Sequence, residues 1–112
     1  MTSWRIGTIL GTALGLAWAA LPAQAQSPGL YYAWRTITSD TMACLDRATT
    51  TLTNQELSNI QVEDNSVAGT TEDSTVVFVC LENADNTTVM IMVSSTDDDT
   101  AFALRETLKE NF

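Results

Sequence analysis

The 112-residue chain contains no histidine, which removes at once the commonest general base and the commonest metal ligand. Ser-His-Asp and Cys-His arrangements are therefore excluded within it. Cysteine is scarce as well: Cys44 and Cys80 are its two thiols, enough for one intramolecular bridge. Lysine occurs once, as Lys109, on what reads as the solvent side of the last helix. That is a poor place for the desolvation a nucleophilic lysine needs. Basic residues number five against 14 acidic ones, a formal charge of −9. A field of that sign repels nucleic acid and anionic membrane surfaces, and it keeps a small protein soluble. The sequence thus reads as a non-enzyme without a cofactor.

What is present begins with a three-part leader. Arg5 gives a positive start, Ile6 to Leu21 is an apolar run, Pro22 breaks it, and Ala23-Gln24-Ala25 places small residues before a cut. The run of 16 residues is short for a membrane span, which needs about 20, and no basic stop-transfer cluster follows it. Residues 1–25 read as a cleavable signal peptide, 26–29 as a short linker, and 30–112 as a single small α+β domain. The expected destination is the periplasm or the extracellular space, with no membrane attachment after cleavage. Loss of Arg5 leaves four basic residues (Arg35, Arg47, Arg105 and Lys109) against all 14 acidic ones, a charge of −10. A mature chain this short has a marginal core. A Cys44–Cys80 bridge suits an oxidising compartment, and closing its loop stabilises by about 3.8 kcal/mol on the chain-entropy argument.

Hydropathy patterning along the mature chain predicts five strands and two helices. Leu30 to Thr38 is aromatic and β-branched, a strand signature. Ser39-Asp40 offers caps for a helix from Thr41, where Thr41, Cys44, Leu45, Ala48 and Leu52 share one face. The run Thr49-Thr50-Thr51 weakens that helix, so packing must hold it, and it should end between Thr53 and Leu57. Ile60 and Val62 alternate with polar residues, Asp64-Asn65 turns the chain, and Ser66 to Thr71 is a short strand. Gly69 within it marks a bulge or a close helix contact. Thr75 to Glu82 and Thr87 to Ser94 are the strongest strands, joined by the turn-forming Asn83 to Asn86. That loop length sets Glu82 opposite Thr87, Cys80 opposite Val89, Phe78 opposite Ile91 and Val76 opposite Val93.

Ser94, Ser95 and Thr96 are candidate caps for the last helix. Asp97, Asp98 and Asp99 would fill its first turn, with Thr96 and Asp99 approximating a capping box. Ala101, Leu104, Leu108 and Phe112 make its buried stripe, while Arg105, Glu106, Lys109 and Glu110 face water. The expected architecture is a two-layer sandwich: an antiparallel sheet with two helices on one face, in the order β-α-β-β-β-β-α, and one disulfide. A bridge from Cys44 to Cys80 would pin helix to sheet.

The spacing of Trp34, Cys44, Leu45, Ala48 and Leu52, then Val67-Ala68-Gly69, Cys80, Val89 to Val93 and Ala101/Leu104/Leu108, resembles small exported bacterial α+β proteins of unassigned function. The resemblance covers most of the mature chain and implies a fold but no activity.

Two features bear on function. Asp97, Asp98 and Asp99 are hard oxygen ligands of the kind Ca²⁺ takes, yet three consecutive residues at a helix start point in different directions, which fits capping better than a metal site. The second feature is the far face of the strong hairpin, where Val77, Val79 and Leu81 stand opposite Met92, Met90 and Thr88. A sheet covered on one side should be polar there. Either the Tyr31/Tyr32 segment folds over that patch or a partner does. The leading expectation is an exported, non-catalytic domain that binds an unidentified protein or a second copy through this face. The alternative is an acidic envelope protein that binds cations such as Ca²⁺.

Mass spectrometry of the exported protein should find a chain beginning at Gln26; intact Met1 in a membrane fraction would overturn the leader.

Overall fold

The computed structural model describes residues 28–112, so the expected signal peptide and its cut lie outside the described residues. Seven elements follow in order: β1 (Gly29–Ile37), α1 (Thr41–Asn54), β2 (Ser58–Glu63), β3 (Ser66–Thr70), β4 (Ser74–Glu82), β5 (Thr87–Ser95) and α2 (Asp98–Asn111). The strands form one antiparallel sheet in the order β1-β5-β4-β3-β2, and both helices lie on one of its faces. This is the two-layer α+β arrangement expected from the sequence.

Its centre is the β4–β5 hairpin. Val76 pairs with Val93, Phe78 with Ile91, Cys80 with Val89 and Glu82 with Thr87. Because side chains alternate across a strand, this register sends Val76, Phe78, Cys80, Val89, Ile91 and Val93 to the helix side, where all six are buried. Thr87 is buried among them, and its hydroxyl is satisfied by the Ser39 carbonyl at 2.6 Å.

Helix α1 starts at Asp40, whose carboxylate accepts the Ala43 N–H at 2.9 Å. Glu82 reinforces this end, taking the Thr41 hydroxyl at 2.6 Å and the Thr41 N–H at 3.3 Å. The threonine run is accommodated by back-bonding: the Thr49 and Thr51 hydroxyls donate to the Leu45 and Arg47 carbonyls one turn earlier. Beyond the helix, Glu56 takes a left-handed φ of 62°, the Glu56 N–H bonds the Thr53 carbonyl, and the Leu57 N–H bonds the Leu52 carbonyl. That pair of bonds is the Schellman ending, which brings residues such as Leu52 and Leu57 into apolar contact. Gly69 of β3 lies beneath them. A Cβ there would stand 3.3 Å from the Leu57 Cβ and 3.5 Å from Leu52 Cδ1. Gly69 is therefore the close helix contact; the bulge sits in β2 instead, between Ser58 and Gln61, where Asn59 has a φ of 52°.

Helix α2 corrects two expectations. Strand β5 continues through Ser95, so Ser94, Ser95 and Thr96 do not cap; Asp97 does, and the Thr96–Asp99 box does not form. The stripe Ala101, Leu108 and Phe112 is buried and Leu104 packs against the core. Arg105, expected to face water, is instead half-buried against β1, and it pairs at 2.7 Å with the more exposed Glu106. Phe112 rests 5.4 Å from Phe78, with the Arg47 guanidinium 4.5 Å above its ring.

Cys44 and Cys80 are bridged, their Cα atoms 6.2 Å apart. Both are fully buried, so the covalent link from α1 to β4 runs through the centre of the core. Thiol reagents should leave both cysteines unlabelled until reduction. Replacing the pair together with alanine should lower stability by about 2–5 kcal/mol in denaturant titration; free labelling of the folded protein would dissolve the link.

Candidate functional site

The sheet face away from the helices is where sequence and structure leave a feature unaccounted for. The register places Val77 opposite Met92, Val79 opposite Met90 and Leu81 opposite Thr88, so Val77, Val79, Leu81, Met90 and Met92 all share this face. Strand β1 extends it. Tyr32 pairs with Met92, Trp34 with Met90 and Leu30 with Ser94, which aligns three large side chains beside the methionines. On the other flank, Ala68 stands opposite Val77 and Ser66 opposite Val79.

Two cross-sheet rows result. One runs Tyr32, Met92, Val77, Ala68, Gln61; the next runs Trp34, Met90, Val79, Ser66, Glu63. Trp34 is 59 % exposed, Leu30 62 %, Tyr32 53 % and Leu81 44 %, and nothing among the described residues covers them. The Tyr32 and Trp34 rings stack with centroids 6.1 Å apart and planes 14° off parallel. The apolar area of the face is on the order of 600 Å², the upper end of what a monomer leaves bare. Its one charged side chain among the described residues is Glu63, on the outermost strand.

The Tyr31/Tyr32 segment does not fold over this patch. Strand β1 joins the sheet edge beside β5, and its alternation splits the two tyrosines. Tyr31 turns to the helix side, where its ring meets Phe102 edge-on at 6.3 Å; Tyr32 enlarges the open face. Sequence reasoning thus omitted Leu30, Tyr32, Trp34 and Ala68. The signal was present in the alternation of LYYAWRTI, whose odd members (Tyr31, Ala33, Arg35, Ile37) are the less exposed set.

The two edges of the sheet differ from its face. Beside β1, Arg105 Nη1 donates to the Tyr32 carbonyl at 3.2 Å, and Arg105 with Lys109 lines the groove along Tyr32, Ala33 and Trp34. At the opposite edge, β2 is short and bulged and ends in Glu63. Side chains filling the edge, bulges and charge are the devices that prevent edge-to-edge strand pairing.

Compared with family models, curated proteins and solved structures, the chain matches none. Its site must be read from geometry alone.

The aspartate triplet is dispersed by the helix start. Asp97 is the cap, accepting the Thr100 hydroxyl at 2.6 Å and the Thr100 N–H at 3.0 Å. Asp98 lies against Gly29, where a Cβ would stand 2.9 Å from its Oδ1. Among the described residues no three carboxylates or thiols gather into a metal-holding group, and no helix is long and apolar enough to cross a membrane.

The Thr100 hydroxyl, and after it the Thr100 N–H, hold the Asp97 carboxyl below its ordinary value of 3.8. A carboxyl depressed in the folded state stabilises the protein above its unfolded pKa, and the contribution fades as pH falls through the lower folded value. Asp97→Asn retains a capping side chain without the titration. Its melting temperature should therefore lie somewhat below that of the wild type near neutrality and fall less steeply between about pH 5 and pH 2, so that the two converge in acid.

Proposed function

We propose that this chain is an exported, non-catalytic domain that acts by binding, through the face carrying Val77, Val79, Leu81, Met90 and Met92 together with Leu30, Tyr32 and Trp34. The observation that carries the reading is the apolar face itself, whose one described charge, Glu63, lies on the outermost strand. A sheet layered on one side is expected to be polar on the other, and here the middle rows hold aromatic, methionine and valine side chains. Stacked aromatics offer large, stiff contact area, and methionines adapt to a partner's relief. Two further points support export. The leader at residues 1–25 has the parts of a signal peptide, and a buried Cys44–Cys80 bridge suits an oxidising compartment.

A domain without histidine or free thiols is ill equipped for acid-base or nucleophilic chemistry, which leaves contact as its means of action. Apart from Glu63 at its margin, the acidic side chains of the described residues lie off this face, on loops, helices and strand ends, where they keep the molecule dispersed.

Replacing Val79 and Met90 together by threonine tests this. Threonine suits a pleated surface, and both side chains are already part-exposed, so the strands should persist and the melting temperature stay near that of the wild type. In extract of the exported fraction the wild-type chain should sediment as a complex, with itself or with another protein, and the double variant as a monomer. A variant that melts and sediments like the wild type would leave the face idle and the proposal without a site.

A further inference from the structure

We infer that the occupant of the open face is a second copy of this chain, packed sheet to sheet about a two-fold axis that runs along β4. The inference rests on the binding reading above and names its partner.

The first argument is relief. From β1 to β3 the open face slopes from tall to short: Tyr32 and Trp34 on β1, Met90 and Met92 on β5, Val77 and Val79 on β4, then Ala68 and Ser66 on β3, with Gln61 and Glu63 of β2 as a polar rim beyond them. Strand β4 is the middle of the five. A two-fold axis along it, in the plane between two copies, reverses the slope of the second copy. At the centre, Met90 and Met92 of one then stand over the small Ser66 and Ala68 of the other, while Trp34 and Tyr32 lie over Glu63 and Gln61 at its exposed β2 rim. Val77 and Val79 meet their own equivalents on the axis. Large over small is how packed layers interdigitate without voids. An axis across the strands would instead set aromatic over aromatic and leave a gap above Ala68 and Ser66.

The second argument is charge. With 14 acidic residues in the chain and only Glu63 of the described ones on this face, the surface has no counterpart for a basic peptide, a nucleic acid or an anionic headgroup. It asks for a partner patch that is equally uncharged and of equal size. A second copy supplies that patch, and face-to-face packing turns both acidic helix layers outward. Area agrees. Roughly 600 Å² of apolar surface from each copy, plus the rim, reaches the lower range of specific interfaces, which bury about 1,200–2,000 Å² in total. Packed sheets of this kind stand about 10 Å apart with strands within about 30° of parallel. The third argument is exclusion: the Arg105 bond to the Tyr32 carbonyl and the bulge in β2 obstruct the edges, so association must use the face.

Sedimentation equilibrium of the purified exported protein, with its native disulfide intact, should show a monomer–dimer equilibrium. Its dissociation constant should lie on the order of micromolar and tighten as salt screens the repulsion between two acidic shells. Val79→Cys and Val77→Cys, each on the axis, should be joined to themselves by a short thiol-to-thiol crosslinker. Met90→Cys should crosslink poorly alone but readily when mixed with Ser66→Cys. Efficient self-crosslinking of Met90→Cys would overturn the axis along β4. A wild-type protein that stays monomeric at several hundred micromolar and high salt would overturn the pairing outright. In that event a complex in exported extract, lost in the Val79→Thr/Met90→Thr variant, would preserve the binding reading; absence of both would remove the two together.

Discussion

Register in the β4–β5 hairpin is the constraint on which the other elements depend. A slip of one residue would move Val76, Phe78 and Cys80 to the open side and put Val77, Val79 and Leu81 under the helices. The bridge to Cys44 could then not close, since the thiol of residue 80 would face away from α1. Phe78 and Ile91, each fully buried, contribute roughly 2–3 kcal/mol apiece by leaving water, so the slipped register also forfeits the centre of the core. Both faces being apolar, hydrophobicity alone distinguishes the registers weakly. The four-residue loop Asn83 to Asn86 and the disulfide complete the specification. Asn83 bonds Asn86 twice, N–H to carbonyl at 2.7 Å and side chain to side chain at 2.8 Å, which fixes where the chain reverses.

Helix docking follows from that register. The disulfide holds the early part of α1 to β4, while Leu52 and Leu57 hold its far end where Gly69 lacks a side chain. Glu56 bears the strain of the connection: a left-handed φ at a position where glycine is the usual residue is tolerated because the two Schellman bonds and the Leu52–Leu57 contact compensate it. Helix α2 is held differently, by side chains reaching across from the sheet. Arg35 of β1 donates to the Lys109 carbonyl at 3.1 Å, near the helix end where cations are favoured. The two helices thus have different attachments to the sheet, covalent and apolar for α1, apolar with added polar and aromatic contacts for α2, and they meet where Arg47 donates to the Phe112 carbonyl at 2.6 Å.

Elements carried by local pattern were legible in the sequence, including the hairpin register, both helices and the cysteine pairing. Period-two alternation and turn residues act within about ten positions, and Cys44 and Cys80 each fell on an apolar face independently. The place of β1 was not legible. Its neighbour is β5, more than fifty residues later, and no local signal distinguishes an edge strand from a segment folded across a face. That one ambiguity hid half of the candidate site, since Leu30, Tyr32 and Trp34 acquire their meaning only beside Met90 and Met92. The cap of α2 was misplaced for a related reason. Ser94, Ser95, Thr96 and Asp97 are all competent caps by type, and the choice among them is made by how far β5 stays paired, with Ser74 holding Ser95 in the ladder.

The distribution of charge connects these observations. A chain with 14 acidic side chains has abundant means to make every exposed surface polar, yet the described open face carries one, at its margin. The sheet edges are guarded by Arg105, Lys109 and a bulge, the ordinary defences against strand addition, whereas the face has none of the inward charges that would defend it. Protection is therefore selective: the backbone edges, which would recruit any extended chain, are obstructed, and the side-chain face is left open. Such a surface offers relief to a partner and few hydrogen-bonding groups. On the proposed reading its partner would be apolar, uncharged over most of its area and sloped in the opposite sense. Within a solution of this protein alone, the surface that would come nearest to these conditions is the one we infer, the same face turned about β4.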